Sequence, residues 1–124
     1  MPPAFEQEIH RLHSRLCAGL ADPKRVLLLY ALSESSRSVT ELAEALQLPQ
    51  PSASRHLKIL RERGLVIAER QGQSVFYKLF DRRILQALDL MRDVLADILA
   101  TQASLSDSVS ESLPQRSASK EQQA

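Results

Sequence analysis

The stretch that most constrains this chain is LQLPQPSASRHLKILRER, Leu46 to Arg63, closed by Gly64. A residue placed before proline is pushed out of the α region, so Leu48-Pro49 ends whatever helix precedes it. Gln50 is then suited to an N-cap and Pro51 to the first helical position, where a missing N–H costs nothing. Ala53, Leu57, Leu60 and Leu65, with Ile59 beside them, recur at the spacing of one helical face. The other face carries Ser52, Ser54, Arg55, His56, Lys58 and Arg61. Short polar groups at the N-terminal end with cations further along are what a helix needs to enter a major groove, because small side chains let the backbone approach base edges. A surface helix with a solvated basic face would show the same pattern, so the rest of the chain has to decide.

Upstream, Phe5, Ile9, Leu12, Leu16 and Leu20 define a first helix over 3–21. Asp22-Pro23 then offers an N-cap and a proline at the first position of a second helix, reaching about Ser35. Its run Val26 to Leu32 is apolar nearly all round and predicts a buried spine. Ser38-Val39-Thr40-Glu41 has the S-x-x-E form of a capping box, opening a third helix that buries Leu42, Ala43 and Leu46; Val39 equally suits a short strand. Gly64 fits a left-handed C-terminal cap of the helix that began at Gln50. Leu65 to Arg70 and Ser74 to Leu79 alternate as two strands of a hairpin with Gly72 at the tip. A last helix over about 82–102 follows, capped by Asp81, with Ile84, Leu88, Met91, Leu95 and Ile98 as its stripe. Residues 103–124 hold seven serines and no sustained period, which predicts a disordered tail.

The order is that of a winged helix-turn-helix, mainly α, with five helices and a two-stranded wing over residues 1–102. The first and last helices carry long apolar stripes that so small a domain cannot cover alone. Packing them against a second copy gives a homodimer that presents two such helices about 34 Å apart, one duplex turn. Charge agrees with this placement. The whole chain is nearly neutral at +1, but Arg55 to Arg83 holds eight basic residues against three acidic ones, a candidate phosphate-facing surface. The lone cysteine, Cys17, excludes an intramolecular disulfide and suits a reducing, cytoplasmic setting. No apolar run has the length of a membrane span.

The segments LADPKRVLLLYAL, SVTELAEALQLPQPSASRHLKILRERGLV and the wing ending VFYKL resemble the ArsR/SmtB family of bacterial repressors, over about residues 16–100. The resemblance implies a homodimeric repressor that binds double-stranded operator DNA and lets go when an inducer binds. It implies Gln50, Ser52, Ser54 and His56 as base readers, Arg55 and Lys58 on phosphates, and Arg70, Gln71 and Gln73 in the flanking minor groove. Many relatives have arginine where this chain has Gln73, and glutamine cannot exploit the negative potential of a narrow groove. His56 has a second reading, packing and hydrogen-bonding inside the domain.

The inducer is not identified by the residues. A family thiolate pair on the third helix would fall at Ser38 and Thr40, which are not soft ligands. A family site on the last helix would use Asp89, Asp93 and Asp97, which without a histidine read as a solvated face. His10, His13 and Cys17, at i, i+3 and i+7 of the first helix, are the remaining candidate ligands for a metal ion. The competing reading is that Cys17 is a small apolar filler and the histidines are exposed. Oxidation of Cys17 alone, a small-molecule inducer, or no inducer complete the alternatives. A protein–protein module is the other functional class, and it would want an aromatic or aliphatic anchor that the Ser52/Ser54/Arg55/Lys58 face lacks. No nucleophile–base pair or glycine-rich phosphate loop suggests an enzyme.

Overall fold

The computed structural model of the chain describes residues 1–112. Residues Met1–Gln86 form one compact unit, and the described residues from Ala87 onward belong to another. The first unit contains α1 (Pro3–Arg11), a π-helical segment (Leu12–Cys17), α2 (Pro23–Ala31), β1 (Arg37–Ser38), α3 (Val39–Leu46), α4 (Gln50–Glu62), β2 (Val66–Gln71) and β3 (Ser74–Leu79). It ends in the first turn of α5 (Arg83–Ser112), most of which makes up the second unit.

The expected helix starts form with their expected chemistry. The Asp22 carboxylate accepts from the Lys24 amide at 2.8 Å and holds the N-terminus of α2, with Pro23 in the first turn. Ser38 and Glu41 close both halves of a capping box, at 3.2 and 2.9 Å. At the end of α4, Gly64 takes φ +86 while its own N–H reaches the Arg61 carbonyl and that of Leu65 reaches Leu60. This is the paired bonding that stops a helix at a left-handed residue. The end of α3 uses the same device with Gln47 at φ 54, a conformation that costs a residue with a Cβ.

The core is a single cluster between α2, α3, α4 and the start of β2. Leu28, Leu29, Leu42, Ala53, Leu57 and Leu60 are wholly buried, with Leu65 and Val66 beside them. The buried spine predicted for Val26 to Leu32 is one-sided instead. Leu28, Leu29 and Leu32 are buried, but Leu27 stays 54% exposed, because neighbours cover only one side of α2.

Three further expectations are corrected. The sheet has three strands in the order β1-β3-β2, since Arg37 and Ser38 pair with Tyr77 and Phe76. The first helix is not uniformly α: residues Leu12–Cys17 wind as a π-helix. The last helix continues ten residues past the predicted end, through Ser112. Extending an existing helix costs far less than nucleating one, so a serine-rich stretch with few apolar groups can still continue it. The rest of the predicted tail, 113–124, lies outside the described residues. Among the described residues no helix is long and apolar enough to cross a membrane.

Candidate nucleic-acid interface

α4 divides cleanly between its two faces. Ala53, Leu57 and Leu60 face the core, whereas Gln50, Ser54, Arg55, Lys58 and Arg61 are exposed, with Ser52 and His56 half-buried. The helix begins one residue earlier than the proline pattern suggests. Pro49 is the N-cap, Gln50 is the first helical residue and Pro51 the second. Ser52 and Ala53 both donate to the Pro49 carbonyl. Proline is tolerated at either place, because neither N–H in that turn has an intrahelical acceptor, so the local pattern alone does not choose. Apart from Pro51, no apolar residue is exposed on α4, and no aromatic one.

Of the eight basic residues between Arg55 and Arg83, four are committed to partners within the chain. Arg63 donates to the Ser14 carbonyl at 2.7 Å, and Arg82 donates to the Ser33 carbonyl. Lys78 pairs with Glu69 at 2.6 Å, and Arg83 pairs with Asp81 at 2.8 Å. That last guanidinium, with the Arg83 amide, holds the Asp81 carboxyl below its ordinary range. The cationic surface therefore narrows to Arg55, Lys58 and Arg61 on α4 and Arg70 on the wing, all exposed.

The wing is the β2–β3 hairpin, with Gln71 opposite Ser74 and Gly72 at φ +64 in a two-residue connection. Side chains alternate along a strand. Gln71 consequently shares a face with Glu69, Phe76 and Lys78, while Arg70 stands on the other with Val75 and Tyr77. Arg70 and Gln71, grouped together by the sequence, are directed to opposite sides of the ribbon. Gln73 is exposed at the tip.

His56 is turned toward its own domain, its Nδ1 lying 3.3 Å from Nη1 of Arg25 on α2. Arg25 was not among the residues that sequence reasoning singled out. Its local signal is one of two cations, with Lys24, in the first turn of α2, within the LADPKRVLLLYAL segment that resembles the family.

The candidate metal ligands do not assemble. His10, His13 and Cys17 are all exposed, and among the described residues no three His, Cys, Asp or Glu side chains come together to hold a metal ion. His10 lies in α1, and His13 and Cys17 lie in the π-helical segment that follows it. On α5, Asp89 pairs with Arg92 at 3.0 Å on a solvated surface.

The arrangement has counterparts of known kind. Residues 22–68, from the Asp22 cap to the third residue of β2, match the model of the bacterial regulatory protein, arsR family. The HTH-type transcriptional regulator NmtR of Mycobacterium tuberculosis is 41% identical over 87 residues, covering 70% of this chain and 72% of its own. The chain belongs to the ArsR family. The HTH-type transcriptional repressor SmtB of the same organism is 44% identical over 83 residues, 67% of this chain; that match spans 62% of SmtB. In three dimensions the chain resembles the homodimeric winged helix-turn-helix DNA-binding domain of Mb0332 from Mycobacterium bovis. The TM-score is 0.69 at 24% identity, covering 80% of this chain and 91% of that one, a likeness of fold.

Proposed function

We propose that this ArsR-family chain is a sequence-specific, double-stranded-DNA-binding transcriptional repressor that acts as a homodimer in the cytoplasm. The observation that carries the reading is the division of α4: Ala53, Leu57 and Leu60 are wholly buried, and its exposed face through Arg61 is polar and cationic (Gln50, Ser54, Arg55, Lys58, Arg61) with Pro51 the one exposed apolar residue. Such a face has no anchor for a protein partner, and it has both components that a duplex requires, groups for base edges and cations for phosphates. Gln50, Ser52 and Ser54 are the base readers, Arg55 and Lys58 the phosphate contacts, with Arg70, Gln71 and Gln73 supplementing them from the wing. His56 has one ring nitrogen directed inward, which leaves only the other for a phosphate or base.

Dimerisation is supported by exposed apolar side chains on α1 (Phe5, Ile9), at the start of the π-helical segment (Leu12) and on α5 (Met91, Leu95, Ile98). Mb0332 is described as homodimeric, and SmtB is named a repressor. Release by an inducer belongs to the same reading. A metal ion, a small molecule or a change at Cys17 would each serve as the signal under this reading.

The test is a salt titration of binding to the DNA upstream of the protein's own gene, beside a shuffled duplex. If each protomer neutralises about three phosphates, the log–log slope is near −5, at roughly 0.9 per contact. Arg55→Ala weakens both duplexes alike, while Ser54→Ala narrows the gap between them. Salt-insensitive binding, or no preference for the upstream duplex, would overturn the reading.

A further inference from the structure

Three hydrogen-bonding contacts converge on Arg25, which the proposed function leaves without a task. Its Nε donates to the Gly19 carbonyl at 2.8 Å and its Nη2 to the Ala18 carbonyl at 3.3 Å; Nη1 meets Nδ1 of His56 at 3.3 Å. One half-buried guanidinium thus joins the end of the first helix, α2 and the middle of α4. Arginine has only donors, so the contact to His56 requires Nδ1 to carry its lone pair and the ring to be the neutral Nε2–H tautomer.

The seam around this contact has little slack. A Cβ built on Gly19 would lie 2.7 Å from Cδ1 of the buried Leu65 and 3.5 Å from Arg63. Arg63, at the end of α4, donates to the Ser14 carbonyl within the π-helical segment. The recognition helix is therefore fastened to the same N-terminal segment at two places, its middle through Arg25 and its end through Arg63.

We infer that Arg25 is a positioning residue for the recognition helix, and that neutral His56 is the form in which α4 is held for reading DNA. This rests on the repressor function proposed above. Adding a proton to Nδ1 removes the acceptor and sets imidazolium against guanidinium. The other charged group facing the pair is Asp22, the N-cap of α2. Its carboxyl is held below the ordinary range by the Lys24 amide first, and by the charges of His56 and Arg25 to a lesser degree. On α3 and β2, which also pack on α4, the ionisable groups are Glu41, Glu44, Glu69 and Arg70, all exposed. Glu41 is engaged by the Ser38 cap and Glu69 by Lys78. Along α4 itself, the residues one turn from His56 are Ser52 and Leu60, both uncharged. Protonated His56 cannot accept from Arg25, and α4 loses the hydrogen bond that joins its middle to α2.

The sign of the pH effect separates this role from plain contact with DNA. A histidine that merely touches phosphate binds more tightly once protonated, because it gains a charge. A histidine whose neutral form positions the helix loses discrimination instead. The experiment measures affinity for the upstream and shuffled duplexes at constant ionic strength, from about pH 8 to about pH 5.5, the range in which imidazoles titrate.

For the wild type, the preference for the upstream duplex falls about tenfold on acidification, the scale of one hydrogen bond to a charged group. His56→Asn, whose amide oxygen can replace the Nδ1 acceptor without titrating, shows a preference that, whatever its size, does not change with pH across the range. Arg25→Lys retains the charge but lacks the fork that spans three acceptors, and its preference is reduced at every pH. A preference that is unchanged or rises on acidification would overturn the inference, as would His56→Asn following the wild type.

Nitrogen-15 NMR of the ring in DNA-free protein reads the bridge independently. The Nε2–H tautomer supports it and the Nδ1–H tautomer overturns it. If neither duplex is bound at any pH, the repressor reading fails together with this role, and the tautomer distinguishes that failure from an absent bridge.

Discussion

α4 and α5 carry the same kind of sequence signal and end differently. Both have apolar residues three and four apart. On α4 these residues, Ala53, Leu57 and Leu60, are completely buried; on α5, Met91, Leu95 and Ile98 remain 54%, 53% and 47% exposed. An amphipathic period thus states that a helix needs a covering, and says nothing of where the covering comes from. α4 finds it in α2, α3 and β2 of its own chain. The stripe on α5 is long and contiguous, and exposed apolar surface of that extent marks an interaction site. A second copy is the occupant that the proposed function supplies.

The comparison can be broken by substitutions on either helix. The largest effect expected is from Leu57→Ala, which leaves a void in a core position that is wholly buried. It costs about 2–5 kcal/mol in urea unfolding, and a loss well below that range would mean that α4 is not anchored as described. Next is Leu95→Asp on α5. In analytical ultracentrifugation the dimer dissociation constant rises about a hundredfold, the scale of a central interface residue, while the winged-helix unit retains its circular dichroism. An unchanged sedimentation coefficient would remove α5 from the interface. The smallest effect is from Ser38→Ala, which removes the cap of α3, one of the surfaces that covers α4. It lowers stability by about 1 kcal/mol and leaves dimerisation alone at concentrations where the protein stays folded.

Much of the fold is legible because its punctuation is local. Asp22-Pro23, the Ser38–Glu41 box, Gly64 and Gly72 each act on backbone within a few residues, and each does so where the sequence places it. What escapes the pattern is of two kinds. Some features are degenerate locally: Pro51 is as well suited to the first helical position as to the second, and a π-helical stretch has the composition of an α-helix. Others depend on residues remote in sequence. β1 exists because Arg37 and Ser38 meet Tyr77 and Phe76, and the role of Arg25 depends on His56, thirty-one positions away. The candidate interface divides along the same line. The exposed polar face of α4 follows from its period, but the inward turn of His56, the separation of Arg70 from Gln71 and the internal engagement of four of eight cations do not.

The attachment of Arg63 to the Ser14 carbonyl has a consequence for how pairing and reading are related. Phe5, Ile9 and Leu12 lie on the helical rod that continues through Ser14 to Gly19. A partner gripping that rod near its beginning handles the very piece to which the groove-reading cylinder is stitched further along. Under the proposed function, quaternary assembly and operator affinity are then thermodynamically linked: the factor by which pairing raises affinity for the operator is the factor by which the operator favours pairing.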